Sequence, residues 1–145
     1  MYNFSIRGKS VEIDLKPGIY VFDCVTASGK TFLCSMLKTF KTLGQPVGGY
    51  SYNDVLEGRS LQSYINGSPI KYLVIDRYDM YLGKCAEDIN KLVESGCVVM
   101  IDCKFKNDLN LDYDIALLEL TAGKVRVYSW FIYLKTVQEV GYRNV

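Results

Sequence analysis

The chain opens on period-two alternation. Phe4 and Ile6 stand before Arg7-Gly8-Lys9, and Val11, Ile13 and Leu15 follow. Alternation on both sides of a glycine turn predicts an antiparallel hairpin. Pro17-Gly18 is a second turn. Ile19-Tyr20-Val21-Phe22 is then a continuous apolar run, as in a strand covered on both faces. From Thr31 the period changes. Phe32, Leu33, Met36, Leu37 and Phe40 form one helical face, stopped by Gly44 and Pro46. Residues 47–52 read as a strand, and Asn53 or Asp54 caps a second helix through about Ile65.

The pattern repeats downstream. Lys71-Tyr72-Leu73-Val74-Ile75-Asp76 is a buried strand ending in a carboxylate. Ala86, Ile89, Leu92 and Val93 share a helical face closed by Gly96. Cys97-Val98-Val99-Met100-Ile101-Asp102 is again a strand ending in Asp, and 104–114 is a polar loop. Residues 115–120 and 124–133 read as strands around the turn Thr121-Ala122-Gly123. Strands alternating with helices predict a mainly parallel sheet flanked by helices, with antiparallel hairpins at both ends. With no linker or repeat in its 145 residues, the chain is expected to form a single domain.

Composition narrows the chemistry. Formal net charge is +1, so no broad field favours nucleic acid or an anionic membrane. No apolar run has the length of a membrane span, and the N-terminal residues lack a signal-peptide pattern. A cytoplasmic protein is expected. The five cysteines are odd in number and show no CxxC spacing, so reduced thiols are expected. The chain has no histidine, which excludes Ser-His and Cys-His catalytic pairs and His-containing zinc sites. Any catalysis must use carboxylates, Lys, Arg, hydroxyls, thiols or bound Mg²⁺.

The segment that carries chemistry is Cys24-Val25-Thr26-Ala27-Ser28-Gly29-Lys30-Thr31. A P-loop reads Gly, four residues, then Gly-Lys-Ser/Thr. The match covers the last three positions, with Cys24 where the first Gly is expected. A buried strand precedes the segment and a helix follows it. Backbone N–H groups there can wrap phosphate oxygens, and the helix N-terminus adds partial positive charge. Thr26, Ala27, Ser28, Gly29, Lys30, Thr31 and Phe32 are therefore the expected nucleotide-binding residues. Lys30 would reach the β- and γ-phosphates, and the Thr31 hydroxyl would ligate Mg²⁺.

A phosphate loop needs a carboxylate that holds the metal, usually at the end of a neighbouring strand. Asp76 fits in type and position, so Thr31 and Asp76 form the expected metal site. The next residue is Arg77, which cannot act as a base. Asp79 and Asp102 are the candidate catalytic carboxylates.

Taken together, these residues resemble the ABC and RecF-like group of P-loop ATPases. The lead-in Phe4-Ser5-Ile6 through Asp14-Leu15-Lys16-Pro17-Gly18-Ile19-Tyr20, the loop end Ser28-Gly29-Lys30-Thr31 and the Walker B-like Tyr72-Leu73-Val74-Ile75-Asp76 carry the resemblance. Leu118-Glu119-Leu120 and Gly123-Lys124-Val125 are similar to the late hairpin of that group. The resemblance implies a P-loop NTPase-like fold and ATP binding with Mg²⁺. It does not imply the two-ATP sandwich dimer. The chain lacks an LSGGQ-type signature, the usual helical subdomain and the glutamate after the Walker B strand. In that group an aromatic near the start stacks on the base; Tyr2 and Phe4 stand there, where a core role is also open.

The expected function is binding of a nucleoside triphosphate, with weak or partner-dependent hydrolysis. An alternative is a non-catalytic protein-interaction module, which Cys24, Arg77 and the twelve tyrosines favour. A small nucleoside or metabolite kinase is a third reading, with 104–112 as its sole lid candidate. The sequence leaves oligomeric state open.

Overall fold

The computed structural model describes residues 1–23, 29–63, 70–78, 86–104, 109 and 111–129. Eight strands form one sheet: β1 Tyr2–Ile6, β2 Lys9–Asp14, β3 Gly18–Phe22, β4 Val47–Tyr50, β5 Tyr72–Ile75, β6 Val98–Ile101, β7 Asp114–Thr121 and β8 Lys124–Ser129. Three helices are defined among the described residues: α1 Lys30–Thr42, α2 Tyr52–Leu56 and α3 Ala86–Glu94. The strand order is β1-β2-β8-β7-β3-β6-β5-β4. β1–β2 and β7–β8 pair antiparallel. β2–β8, β3–β6, β3–β7, β4–β5 and β5–β6 pair parallel.

This corrects the expected architecture. The molecule is not a helix-flanked, mainly parallel P-loop NTPase-like sheet. It is a mixed sheet that curls into a half-barrel, and strands dominate over three short helices. Two local causes are visible. The second helix stops after a single turn at Leu56, because Glu57 leads into Gly58 at φ 77°. The strands β1, β2 and β8 alternate apolar with polar residues, so one of their faces carries polar side chains such as Glu12 and Arg126. Those two form an ion pair of 3.1 Å across the sheet. Such a face needs no helix over it.

Alternation along the central strands builds two cores. Tyr20, Phe22, Val74, Val98 and Met100 pack with Leu33, Leu37 and Phe40 of α1. Val21, Leu73, Ile75, Val99 and Ile101 pack with Ile89 and Leu92 of α3. Adjacent residues of one strand fall in different clusters, so the clusters lie on opposite faces. α1 sits very close to β4. A Cβ on Gly49 would lie 2.5 Å from the Cys34 carbonyl oxygen.

The same helix is tied down polarly. Lys38 Nζ lies 2.8 Å from Asp54 Oδ2 and donates to Ser51 Oγ at 2.6 Å. Asp54 is only 2% exposed and also accepts from the Ser51 amide at 2.8 Å, closing a capping box. Burial alone would raise its pKa, but the hydrogen bonds from Lys38 and Ser51 hold it below the usual value. α1 is thus fixed along its length, which fixes the direction of its N-terminal end.

Candidate functional site

β3, β5 and β6 run in the same direction, so their C-terminal ends share one edge of the sheet. The chain leaves β3 for β4 on one side and later, after β6, crosses to β7 on the other side of β3. Where successive connections diverge in this way, a crevice opens beyond the strand ends. Asp76 and Asp102 directly follow β5 and β6, and Ile75 and Ile101 are register partners. Backbone bonds clip this edge. Asp102 N–H donates to the Ile75 carbonyl at 2.9 Å, and Asp76 N–H donates to the Tyr50 carbonyl at 2.8 Å.

α1 starts at the same edge. Gly29 is its N-cap, at φ 108°, and no side chain of the described residues caps the helix. No acidic residue occupies its first turn. The amides at such an end lack intrahelical partners and carry partial positive charge. Two features favour glycine at this cap, the first more strongly because the second can be relieved by a shift of the Leu118 side chain. Its φ is left-handed, and a Cβ would lie 2.5 Å from Leu118 Cδ2.

Lys30, the first helical residue, turns to the strand ends. Its Nζ donates to Asp102 Oδ1 at 2.6 Å, with the two side chains 13% and 11% exposed. Asp76 stands beside this pair. Its Oδ1 is buried and accepts no hydrogen bond from the described residues. Burial pushes the Asp76 pKa up, and the hydrogen bond and negative charge of Asp102 push it further; Arg77 and Lys30 oppose the rise. Two carboxylates and the Lys30 ammonium therefore share a small volume, with the Arg77 guanidinium acting on Asp76 as well.

The expected site residues divide as follows. Gly29, Lys30, Asp76 and Asp102 come together at one edge. Thr31 is exposed on the first turn of α1, and Phe32 is half-buried against the α1 core. Thr26, Ala27, Ser28 and Asp79 lie outside the described residues. Arg77 is exposed, at φ 56°, beside Asp76. The Lys30–Asp102 ion pair is new relative to the sequence reading. It depends on β6 lying next to β3, a pairing no local pattern encodes.

Among the described residues no group of three or more His, Cys, Asp or Glu is arranged to hold a metal ion. Mg²⁺ rarely requires such a cage. It binds one or two carboxylates and takes its remaining ligands from phosphate and water. The orphaned Asp76 oxygen fits that donor set. Among the described residues no helix is long and apolar enough to cross a membrane.

Comparison of the chain with protein-family models, with curated proteins and with solved structures finds no match in any of the three.

Proposed function

We propose that the protein binds a nucleoside triphosphate with Mg²⁺ at the N-terminal end of α1, and hydrolyses it slowly or only with a partner. The observation that carries this reading is Lys30 held at 2.6 Å from Asp102, beside an Asp76 oxygen that has no hydrogen-bond partner among the described residues, at a helix N-terminus whose cap residue is glycine. The three features complement one ligand chemistry. The ammonium and the free amides suit phosphate oxygens. The carboxylates suit the cation that accompanies them. Lys30, with the α1 amides, would hold the phosphates, while Asp76 and Thr31 would hold Mg²⁺. The bound ion supplies neutralisation of phosphate charge.

Slow turnover follows from the available bases. Arg77 keeps its proton at any working pH. Asp102 is engaged with Lys30. Asp76, the better metal ligand, is poorly disposed to accept a proton once it is coordinated. A thermal-shift panel of ATP and GTP with Mg²⁺ tests the reading. A rise in melting temperature that is saturable and needs Mg²⁺ supports it, and no shift with any nucleotide refutes it.

A second reading has its own support. Tyr52, Val55 and Leu56 on α2 are 43%, 39% and 65% exposed. Clustered exposed apolar side chains suit contact with a protein partner. Polar substitution of Val55 and Leu56 would abolish such contact and leave the nucleotide response intact.

A further inference from the structure

A second concave site lies along the side of α1. The turn between β1 and β2 overhangs the helix and encloses a cleft of about 330 Å³. That is within the range of small-molecule sites. Its floor is apolar, formed by Ile6, Phe32, Met36, Phe40 and Leu43. Met36 and Phe40 are almost fully buried, so the floor is continuous with the core rather than a few stray side chains. Its rim is different. Arg7 and Lys9 stand on the hairpin side and Ser35 and Thr39 on the helix side.

The two cations are the informative feature. Several other surface cations are used internally, Arg126 with Glu12, Arg59 with Asp54 and Glu57, and Lys38 with Asp54, and what distinguishes Arg7 and Lys9 is that they stand together at the rim of an apolar cleft. The side chains of Arg7 and Lys9 form no ion pair or hydrogen bond among the described residues. No carboxylate is among the described lining residues, so the cleft combines an apolar floor with unopposed positive charge. The hairpin also holds Arg7 at φ 49°, in the left-handed region, next to Gly8. The turn therefore presents both cations from one fixed tip.

We propose that this cleft binds a small amphipathic anion, with an aromatic or aliphatic body on the apolar floor and a carboxylate, sulfonate or phosphate between Arg7 and Lys9. The proposal does not rest on nucleotide binding at Lys30. None of the residues that carry it is Gly29, Lys30, Asp76 or Asp102. Charge selects the sign of the ligand, and the floor selects its body. Neutral molecules of the same shape gain only the apolar part, and cations of that shape are repelled.

Two soluble probes share one body and differ in charge: naphthalene-1-sulfonate and 1-naphthylmethylamine, which is cationic at neutral pH. Each is titrated into the full chain and followed by amide chemical-shift changes. The sulfonate is expected to bind, with shifts concentrated in 6–9 and 32–43, and the amine to bind at least roughly tenfold more weakly. In the Arg7→Glu/Lys9→Glu double variant the preference reverses. Ser35→Trp, at an exposed helix position, fills the cleft and abolishes binding of both probes. All three substituted residues are exposed, and circular dichroism verifies that the variants fold. Equal binding of the two probes, or unchanged sulfonate affinity in the double variant, overturns the proposal. Loss of sulfonate binding in a folded Lys30→Ala variant also overturns it, because the cleft would then belong to the nucleotide site.

Discussion

Substituting Asp102 by Asn should tighten metal-free phosphate binding rather than weaken it. In the ligand-free molecule Lys30 is already occupied, at 2.6 Å from Asp102 Oδ1 and largely shielded from water. A phosphate must take the ammonium from that carboxylate. A hydrogen bond to a charged group contributes roughly 1.5–3 kcal/mol net. Asparagine keeps the shape and an acceptor oxygen but removes the charge, so much of that competition disappears. At about 1.4 kcal/mol per factor of ten, metal-free pyrophosphate affinity should rise roughly ten- to a hundredfold. Loss of a negative charge beside the incoming anion acts in the same direction. The assay is calorimetric titration of pyrophosphate in the presence of a chelator, on wild type, Asp102→Asn, Lys30→Ala and the double variant. The gain must vanish in the Lys30→Ala background, since the competition runs through Lys30. Unchanged or weaker binding by Asp102→Asn, in a protein whose wild type does bind, refutes the reasoning.

Three further outcomes follow from the geometry. Gly29→Ala combines a left-handed φ with a Cβ placed 2.5 Å from Leu118 Cδ2; it should destabilise the fold by about 1–3 kcal/mol in denaturant titration. Asp76→Asn should stabilise the protein at neutral pH. Its folded pKa is raised above 3.8 by burial and by Asp102, so its contribution is fully favourable below the unfolded value and is lost as pH rises through the folded one. The variant's advantage in melting temperature should therefore grow with pH from the acid side, and an advantage independent of pH contradicts the assignment. Cys34 and Cys97 are buried, and burial pushes both thiols up to about 12; mass spectrometry after native alkylation at neutral pH should find both unmodified until denaturant is added.

The local elements were largely legible, and their assembly was not. The glycine turn at Arg7-Gly8-Lys9 marks the β1–β2 hairpin because alternation continues on both sides of it. The helical face from Phe32 to Phe40 gives α1, and the apolar runs before Asp76 and Asp102 give β5 and β6. The second helix was overread. Its cap is Ser51 rather than Asn53 or Asp54, with Asp54 completing the capping box from the third helical position, and Gly58 ends the helix before the later apolar positions can join it. The sheet order was beyond local reading. β7 joins β3 on the side away from β6, and β2 pairs in parallel with β8, more than a hundred residues later. Those pairings are set by tertiary packing, and they turn an expected helix-flanked layer into a mixed, strand-dominated sheet. One clue was available. Serine and glutamate alternate with valine and isoleucine along β2, which marks a strand with one polar face.

The candidate site follows the same division. Gly29, Lys30 and Thr31 are readable because a short motif sits at a strand-to-helix switch, and Asp76 because its strand is buried and ends in a carboxylate. The engagement of Lys30 by Asp102 links residues 72 apart in sequence. It arises from the β3–β6 neighbourhood and so appears only in three dimensions. The cleft over α1 is similar. Arg7 and Lys9 look like ordinary turn residues until the hairpin is laid against the helix.

The central claim is that phosphate binding runs through Lys30. Its most direct test is calorimetric titration of ATP with Mg²⁺ into wild type and Lys30→Ala under identical conditions. The account predicts saturable binding by the wild type and its loss, or a weakening of at least roughly tenfold, in the variant. Equal affinities in the two proteins, or no heat from either while both are folded, would contradict it.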